Sequence, residues 1–182
     1  MNGKRKTLPE AAFISIGSNI DPEKYLPLAV ENLSRLGEQI SVSLVYQNPA
    51  IARPEQSDYL NAAAHVVTAN SALEIRGILR QIEESLGRIR SKDKYDSRTL
   101  DLDLCLLGDQ VLETAELILP DPNLLKYAHI AVPIAELDPD FLHPIAGSNL
   151  REIAYRLRPE ANLSLREDIS QRIREVAANA TA

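Results

Sequence analysis

Apolar and polar residues alternate without a break along Arg98-Thr99-Leu100-Asp101-Leu102-Asp103-Leu104, and that alternation admits one kind of element. Successive side chains of a β-strand point to opposite faces. Leu100, Leu102 and Leu104 therefore face a core, while Asp101 and Asp103 stand side by side on the other face. Adjacent carboxylates repel, and a strand face that only had to be soluble would carry Lys or Thr at less cost. A hard divalent cation such as Mg²⁺ makes the pair favourable, because it takes oxygen ligands and keeps positions open for phosphates. The preceding stretch is basic, with Arg88, Arg90, Lys92, Lys94 and Arg98 against Asp93 and Asp96. Carboxylates beside a cationic loop suit a nucleotide polyphosphate. The competing reading is a solvated strand face next to a charged turn.

The rest of the chain predicts the company this strand keeps. Residues 11–16 form an apolar run ended by the turn signal Gly17-Ser18-Asn19. Asp21-Pro22 suits a helix start, and Leu26, Ala29, Val30, Leu33 and Leu36 follow at helical spacing until Gly37. A second strand is expected over residues 40–46, with Ile40, Val42 and Leu44 on one side, and a Pro-marked loop over 47–56. A third strand is expected over 59–68. Ser71 caps a second helix that runs to about Leu86, and a hairpin is expected at Gly108-Asp109. The order is β-α-β-β-α-β, so the fold class is α+β: a ferredoxin-like core with an antiparallel sheet and both helices on one face. Residues 120–147 are Pro-rich and predict short helices in irregular chain. Ile153, Leu157, Leu163, Ile169 and Ile173 predict a helical extension that frays over 177–182.

At 182 residues and 45% hydrophobic content the chain fits one globular domain. Its expected organisation is a disordered N-terminus over 1–10, a catalytic domain over 11–148, and a C-terminal helical extension of the same domain over 149–182. A net charge of −6 argues against nucleic-acid and membrane-surface partners and makes the basic run a local feature. Cys105 is the only cysteine, which rules out an intrachain disulfide and suits a small buried hydrophobe. No apolar run has membrane length, so a cytoplasmic location is expected. A Walker loop and a Gly-x-Ser-x-Gly elbow are both missing from the sequence. His65, His129 and His143 lack metal-ligand spacing.

Four motifs in order, Gly17-Ser18-Asn19, Asp58-Tyr59-Leu60-Asn61, Gly87-Arg88-Ile89-Arg90 and Arg98-Thr99-Leu100-Asp101-Leu102-Asp103, make the chain resemble the 6-hydroxymethyl-7,8-dihydropterin pyrophosphokinase family of folate biosynthesis. The resemblance spans roughly residues 12–147. It implies transfer of pyrophosphate from ATP to the hydroxymethyl oxygen of a reduced pterin, by attack at the β-phosphorus with AMP leaving. It further implies that Asp101 and Asp103 hold two Mg²⁺ ions, and that Arg88 and Arg90 act catalytically at the phosphates. Glu83, Tyr95, Arg98 and Leu104 fall at positions of the family's ATP site. Gly17, Asn48, Pro49, Ile51, Tyr59, Asn61 and His129 fall at pterin-site positions. Two of these keep a second reading: Glu83 as a helix-surface acid, and Arg98 as the structural partner of a nearby carboxylate.

The chain departs from the family's pattern at several of these places. His129 stands where an aromatic is usual, Asp121 where a His is common, and Tyr127 where an Arg is frequent. Tyr95 replaces a Trp, Lys94 an Arg, and Asn48 and Ala50 replace a Thr and a Pro. Asp121 and Tyr127 leave the expected nucleotide site more negative than the family's. Two alternatives follow: an enzyme acting on a different pterin-like alcohol, or a non-catalytic ligand-binding module.

Overall fold

β1 (Glu10–Ser18) is the strand on which the central elements lean. It pairs antiparallel with β4 (Tyr59–Thr68) on one side and with β5 (Asp101–Leu107) on the other. This is a computed structural model, and it describes residues 8–37, 39–51, 53–89, 93 and 96–180. β2 (Ile40–Val42) and β3 (Tyr46–Asn48) both pair with β4, and the short β8 (Ser164–Leu165) adds to β3. The six-stranded order is β5-β1-β4-β3-β8, with β2 also on β4. That is the antiparallel ferredoxin-like arrangement expected from the element order, extended at one edge.

Each face of the sheet has its own cover. Ile14 and Ile16 of β1, Ala62, Ala64 and Val66 of β4, and Leu102 and Leu104 of β5 share a core with α1 (Pro22–Leu33) and α2 (Ala72–Ser85). The C-terminal α5 (Glu167–Ala180) joins that same core through Ile169, Ile173 and Ala177. On the opposite face, Phe13, Ala63 and Leu106 pack against α3 (Ala128–Leu137) and α4 (Leu150–Leu157). α2 begins with a capping box in which Ser71 accepts from the Glu74 N–H and Glu74 accepts from the Ser71 N–H.

Several expectations need correction. The strand expected over 40–46 is two strands separated by a β-bulge. Val42 sits opposite Ala64 and Tyr46 opposite Asn61, so four residues advance on this strand while three advance on β4. One extra residue inverts the alternation. Ile40 and Val42 face the α1–α2 core, whereas Tyr46 and Asn48 face the other way, alongside Asn61. The backbone groups released by the break are taken up from both faces. The Leu44 N–H donates to Glu136 Oε2 of α3 at 2.9 Å, and the Val45 N–H donates to Ser170 Oγ of α5 at 2.8 Å.

β5 has a comparable irregularity. Ile14 pairs with Leu104 but Phe13 with Leu106, so Cys105 is the extra residue, which accounts for a run of four buried side chains from Leu104 to Leu107. The turn at Gly108 (φ +50°) does not return β5 on itself. It leads to β6 (Leu112–Glu113), which pairs with β7 (Ile118–Leu119) in a separate two-stranded sheet. Asp21 occupies the N-cap of α1 with φ 45° and no side-chain cap bond. α3 is a ten-residue helix with Pro133 inside it, more regular than the Pro-rich composition suggested. α5 stays helical to Ala180, past the point where fraying was expected, because Ala177 is buried.

Candidate active site

Strand register brings the two acidic side chains of β5 onto the sheet face opposite the α1–α2 core. Asp101, Gly17 and Asn61 lie in one row across β5, β1 and β4, with Asp103 and Ser15 in the neighbouring row. Gly17 makes this row possible. A Cβ there would stand a tight 3.2 Å from Asn61 Oδ1, while Asp101 and Tyr59 would remain at ordinary contact distance, 3.9 Å. α3 and α4 cover the far part of this face, and the near part is open.

Two clefts meet on that open part. The first, about 420 Å³, runs round the edge strand β5 between α2 and the β6–β7 hairpin; Glu83, Arg88 and Leu104 are among its walls. The second, about 270 Å³, lies over β1 and β4 under the N-terminal end of α3; Gly17, Asn48, Ile51, Tyr59, Asn61, Arg98 and His129 line it. Asp101 and Asp103 belong to both clefts, as does Asn123. Pro49 lines an adjoining groove instead of the second cleft. Arg90 and Tyr95, with Lys92 and Lys94, lie outside the described residues.

The electrostatics centre on Asp101. Its Oδ1 accepts from Arg88, and its Oδ2 accepts from Arg98 Nη1 at 2.7 Å. Arg88 also donates to Glu83 Oε1 and to the Leu100 carbonyl at 3.2 Å. Glu83 is 2% exposed and further accepts the Leu102 N–H at 2.8 Å, so this acid locks α2 and Arg88 to β5. Asp103 is open to the solvent in the clefts, yet protein rises around it on several sides. That crowding, added to by Asp101, Asp121 and Glu83 and opposed by Arg88, holds its carboxyl well above the ordinary range. Asp121 is likewise raised, chiefly by burial, although its side chain is already used: it accepts the Asn123 N–H at 2.9 Å and caps the 3-10 turn Pro122–Leu125.

An excess of carboxylate oxygens with raised affinity for a proton is a donor set that fits a hard divalent cation. Among the described residues no group of three or more His, Cys, Asp or Glu side chains is placed to hold a metal ion alone. A cation at Asp101 and Asp103 would take its remaining ligands from water and substrate phosphate.

The second cleft combines aromatic rings with carboxamides. Tyr59 supplies one aromatic wall, and burial raises its phenol pKa against the nearby Arg98 charge. His129 lines the same cavity, and burial lowers its pKa to about 4, so it is an uncharged ring at neutral pH. At the cavity floor Asn61 donates its amide to Asn48 Oδ1, and Asn48 donates to the Pro49 carbonyl at 2.8 Å. Two linked carboxamides present both donors and acceptors to a heterocycle's edge.

The model of the family described as 7,8-dihydro-6-hydroxymethylpterin-pyrophosphokinase (HPPK) matches residues 13–139. The chain belongs to the HPPK family. The 2-amino-4-hydroxy-6-hydroxymethyldihydropteridine pyrophosphokinase of Bacillus subtilis (strain 168) is 34% identical over 129 residues, covering 69% of this chain and 77% of that protein. The Folic acid synthesis protein fol1 of Pneumocystis carinii is 29% identical over 143 residues, and the chain spans 19% of its length. Among solved structures, Plasmodium falciparum HPPK-DHPS with pteroate superposes with a TM-score of 0.64 at 13% identity, over 84% of this chain and 44% of that one, a likeness of fold.

In this HPPK chain the structure gives roles that the motifs did not assign. Asn19, 5% exposed, ties three segments together: its Oδ1 accepts the Arg98 N–H at 2.8 Å, and its Nδ2 reaches Ser97 Oγ at 3.2 Å and the Ser57 carbonyl at 3.4 Å. The Asn of the Gly-Ser-Asn motif is thus more than a turn former. Arg76 and Arg80 line the first cleft with Glu83. Their spacing on α2 was the available signal, since positions three and four apart share a helix face. Tyr127 and Gln56 line the second cleft. Gln56 stands at a position that pattern alone does not distinguish from an ordinary loop residue, whereas Tyr127, expected on the nucleotide side, lines the other cleft.

Proposed function

We propose that this protein transfers pyrophosphate from ATP to the hydroxymethyl group of 6-hydroxymethyl-7,8-dihydropterin, giving AMP, as a step of folate biosynthesis. One observation carries the reading: a long cleft and a ring-sized cavity share only a small set of walls, and Asp101 and Asp103 are in it. Donor and acceptor bound in the two spaces meet at that carboxylate pair.

The acceptor's hydroxyl oxygen attacks the β-phosphorus, the bond from β-phosphorus to the α,β-bridging oxygen breaks, and AMP departs. Such a transfer depends on positioning and on neutralising charge. Asp101 and Asp103 would hold two Mg²⁺ ions, which, when bound, neutralise the transferring group and the leaving oxygen. Arg88 and Arg98 keep Asp101 oriented from both sides and bring guanidinium charge to where the phosphates would lie. Arg90 and Tyr95 belong to the nucleotide side in this reading, with Glu83 holding Arg88 in place and Leu104 forming apolar floor. Tyr59 and His129 sandwich the pterin, Asn61 and Asn48 read its amide edge, and Gly17 and Ile51 fit closely round it.

The test is AMP release from ATP and Mg²⁺, with and without 6-hydroxymethyl-7,8-dihydropterin. Pterin-dependent AMP is expected. It should fall by about a hundredfold or more in Asp101→Ala, because metal-assisted charge stabilisation is worth several kcal/mol and each ~1.4 kcal/mol is tenfold. His129 and Tyr127 favour one alternative, an acceptor alcohol of different shape. Mg²⁺-dependent ATP binding without pterin-dependent AMP would select it.

A further inference from the structure

From the sequence, Tyr127 falls on the expected nucleotide side, at a position that elsewhere carries a charge. In this structure its ring lies on that of His129, with centroids 5.4 Å apart and planes 29° from parallel. Both residues line the same cavity as Tyr59. On the other side the same two residues line a groove of about 460 Å³, whose far wall includes Arg156, Leu157 and Leu163 of the C-terminal segment. The pair therefore partitions two open spaces.

Hydrogen bonds on both sides fix the Tyr127 backbone. The Tyr127 N–H donates to the Asn123 carbonyl at 3.0 Å, and the Tyr127 carbonyl accepts the Ala131 N–H, also at 3.0 Å, opening the first turn of α3. Tyr127 is still 38% exposed, so a large aromatic surface remains to be covered. An imidazole alone offers less stacking area than a phenol ring, and offset-stacked aromatic neighbours extend one another's surface.

We propose that Tyr127 is an acceptor-binding, specificity-determining residue: with His129 it forms a composite aromatic wall that sets which flat heterocyclic alcohols the cavity takes. The inference rests on the pterin-acceptor reading above. In it, the second residue supplies the stacking area that a single larger aromatic would otherwise give.

The experiment is a fluorescence titration of 6-hydroxymethyl-7,8-dihydropterin against wild type, Tyr127→Ala and Tyr127→Phe, paired with KM values for pterin and ATP. Tyr127→Ala should weaken pterin binding and raise its KM by roughly two- to tenfold, the range of an aromatic stacking contact. The KM for ATP should hold, and Tyr127→Phe should restore wild-type pterin affinity. Unchanged pterin affinity in the Ala variant, or equal rises in both KM values, overturns the role of Tyr127 while leaving the acceptor assignment intact. Wild-type protein that binds no pterin overturns both.

Discussion

At the scale of single residues, the site's chemistry is set by burial acting on ionisable rings. His129 is held to about 4 by burial, and His65 and His143 are also lowered, each chiefly by burial. An imidazole whose folded pKa lies below its unfolded value contributes stability that is complete above about pH 6.5 and is lost as pH falls through the folded value. The imidazole contribution to stability therefore falls as pH is lowered from about 6.5 towards 4. The raised carboxyls of Asp103 and Asp121 act in the opposite sense, so the effect of His129 shows in the difference between wild type and a His129 variant. Relative to wild type, His129→Phe should gain melting temperature as pH falls through that window, as followed by circular dichroism at fixed ionic strength. A profile parallel to wild type would place the acid sensitivity in His65 and His143 instead. His143 has its own structural role, since its Nδ1 accepts the Ile145 and Ala146 N–H groups at 3.2 and 3.1 Å.

At the scale of elements, interruptions matter more than regular stretches. The bulge between β2 and β3 turns Asn48 towards the acceptor cavity and Tyr46 against Ala128 and Val132 of α3, and its cost is released backbone donors that Glu136 and Ser170 satisfy. Ser170 is 2% exposed, and its hydroxyl also donates to the Arg166 carbonyl at 2.6 Å. Ser170→Ala should strand the buried Val45 N–H and cost roughly 1–3 kcal/mol, the usual penalty for an unpaired buried donor. Urea unfolding monitored at 222 nm measures it; a loss within error of zero would mean water replaces the hydroxyl. Pro27 has a similar consequence in α1. It lacks the N–H that would meet the Glu23 carbonyl, and Arg172 of α5 donates to that carbonyl at 3.1 Å.

At the scale of the whole molecule, α5 belongs to the core that supports the site. Ile169, Ile173 and Ala177 pack in one cluster with Ile14, Val30 and Leu33. Arg166, at the start of this helix, pairs with Glu23 at 2.7 Å and reaches Gln47 Oε1 at 3.3 Å. Deleting residues 167–182 should open the core beneath β2 and release the bulge that Ser170 holds. The expected result is a protein without a cooperative unfolding transition and without ATP or pterin binding, judged by calorimetry and titration. A truncated chain that melts cooperatively and still binds both would show α5 to be a passive cover. We propose, on these contacts, that residues 149–182 form one folding unit with the preceding domain.

The alternation in Asp101-Leu102-Asp103-Leu104, the helical spacing in α1 and α2, and the Ser71 capping pattern are local. Residues close in sequence create them, so the sequence by itself determined the element order, the antiparallel core and the acidic pair on one strand face. The family motifs likewise sit in stretches of a few residues each. Other features depend on residues distant in sequence. Which face Tyr46 and Asn48 take turns on one inserted residue, tolerated because Glu136 and Ser170 arrive from opposite faces to satisfy its backbone. Pairing Arg88 with Glu83 and Asp101, stacking Tyr127 on His129, and joining two clefts at one carboxylate pair require the sheet to be assembled first. Only the tertiary structure decided these, because a side chain's partners across a sheet are fixed by register and packing, which no local pattern encodes.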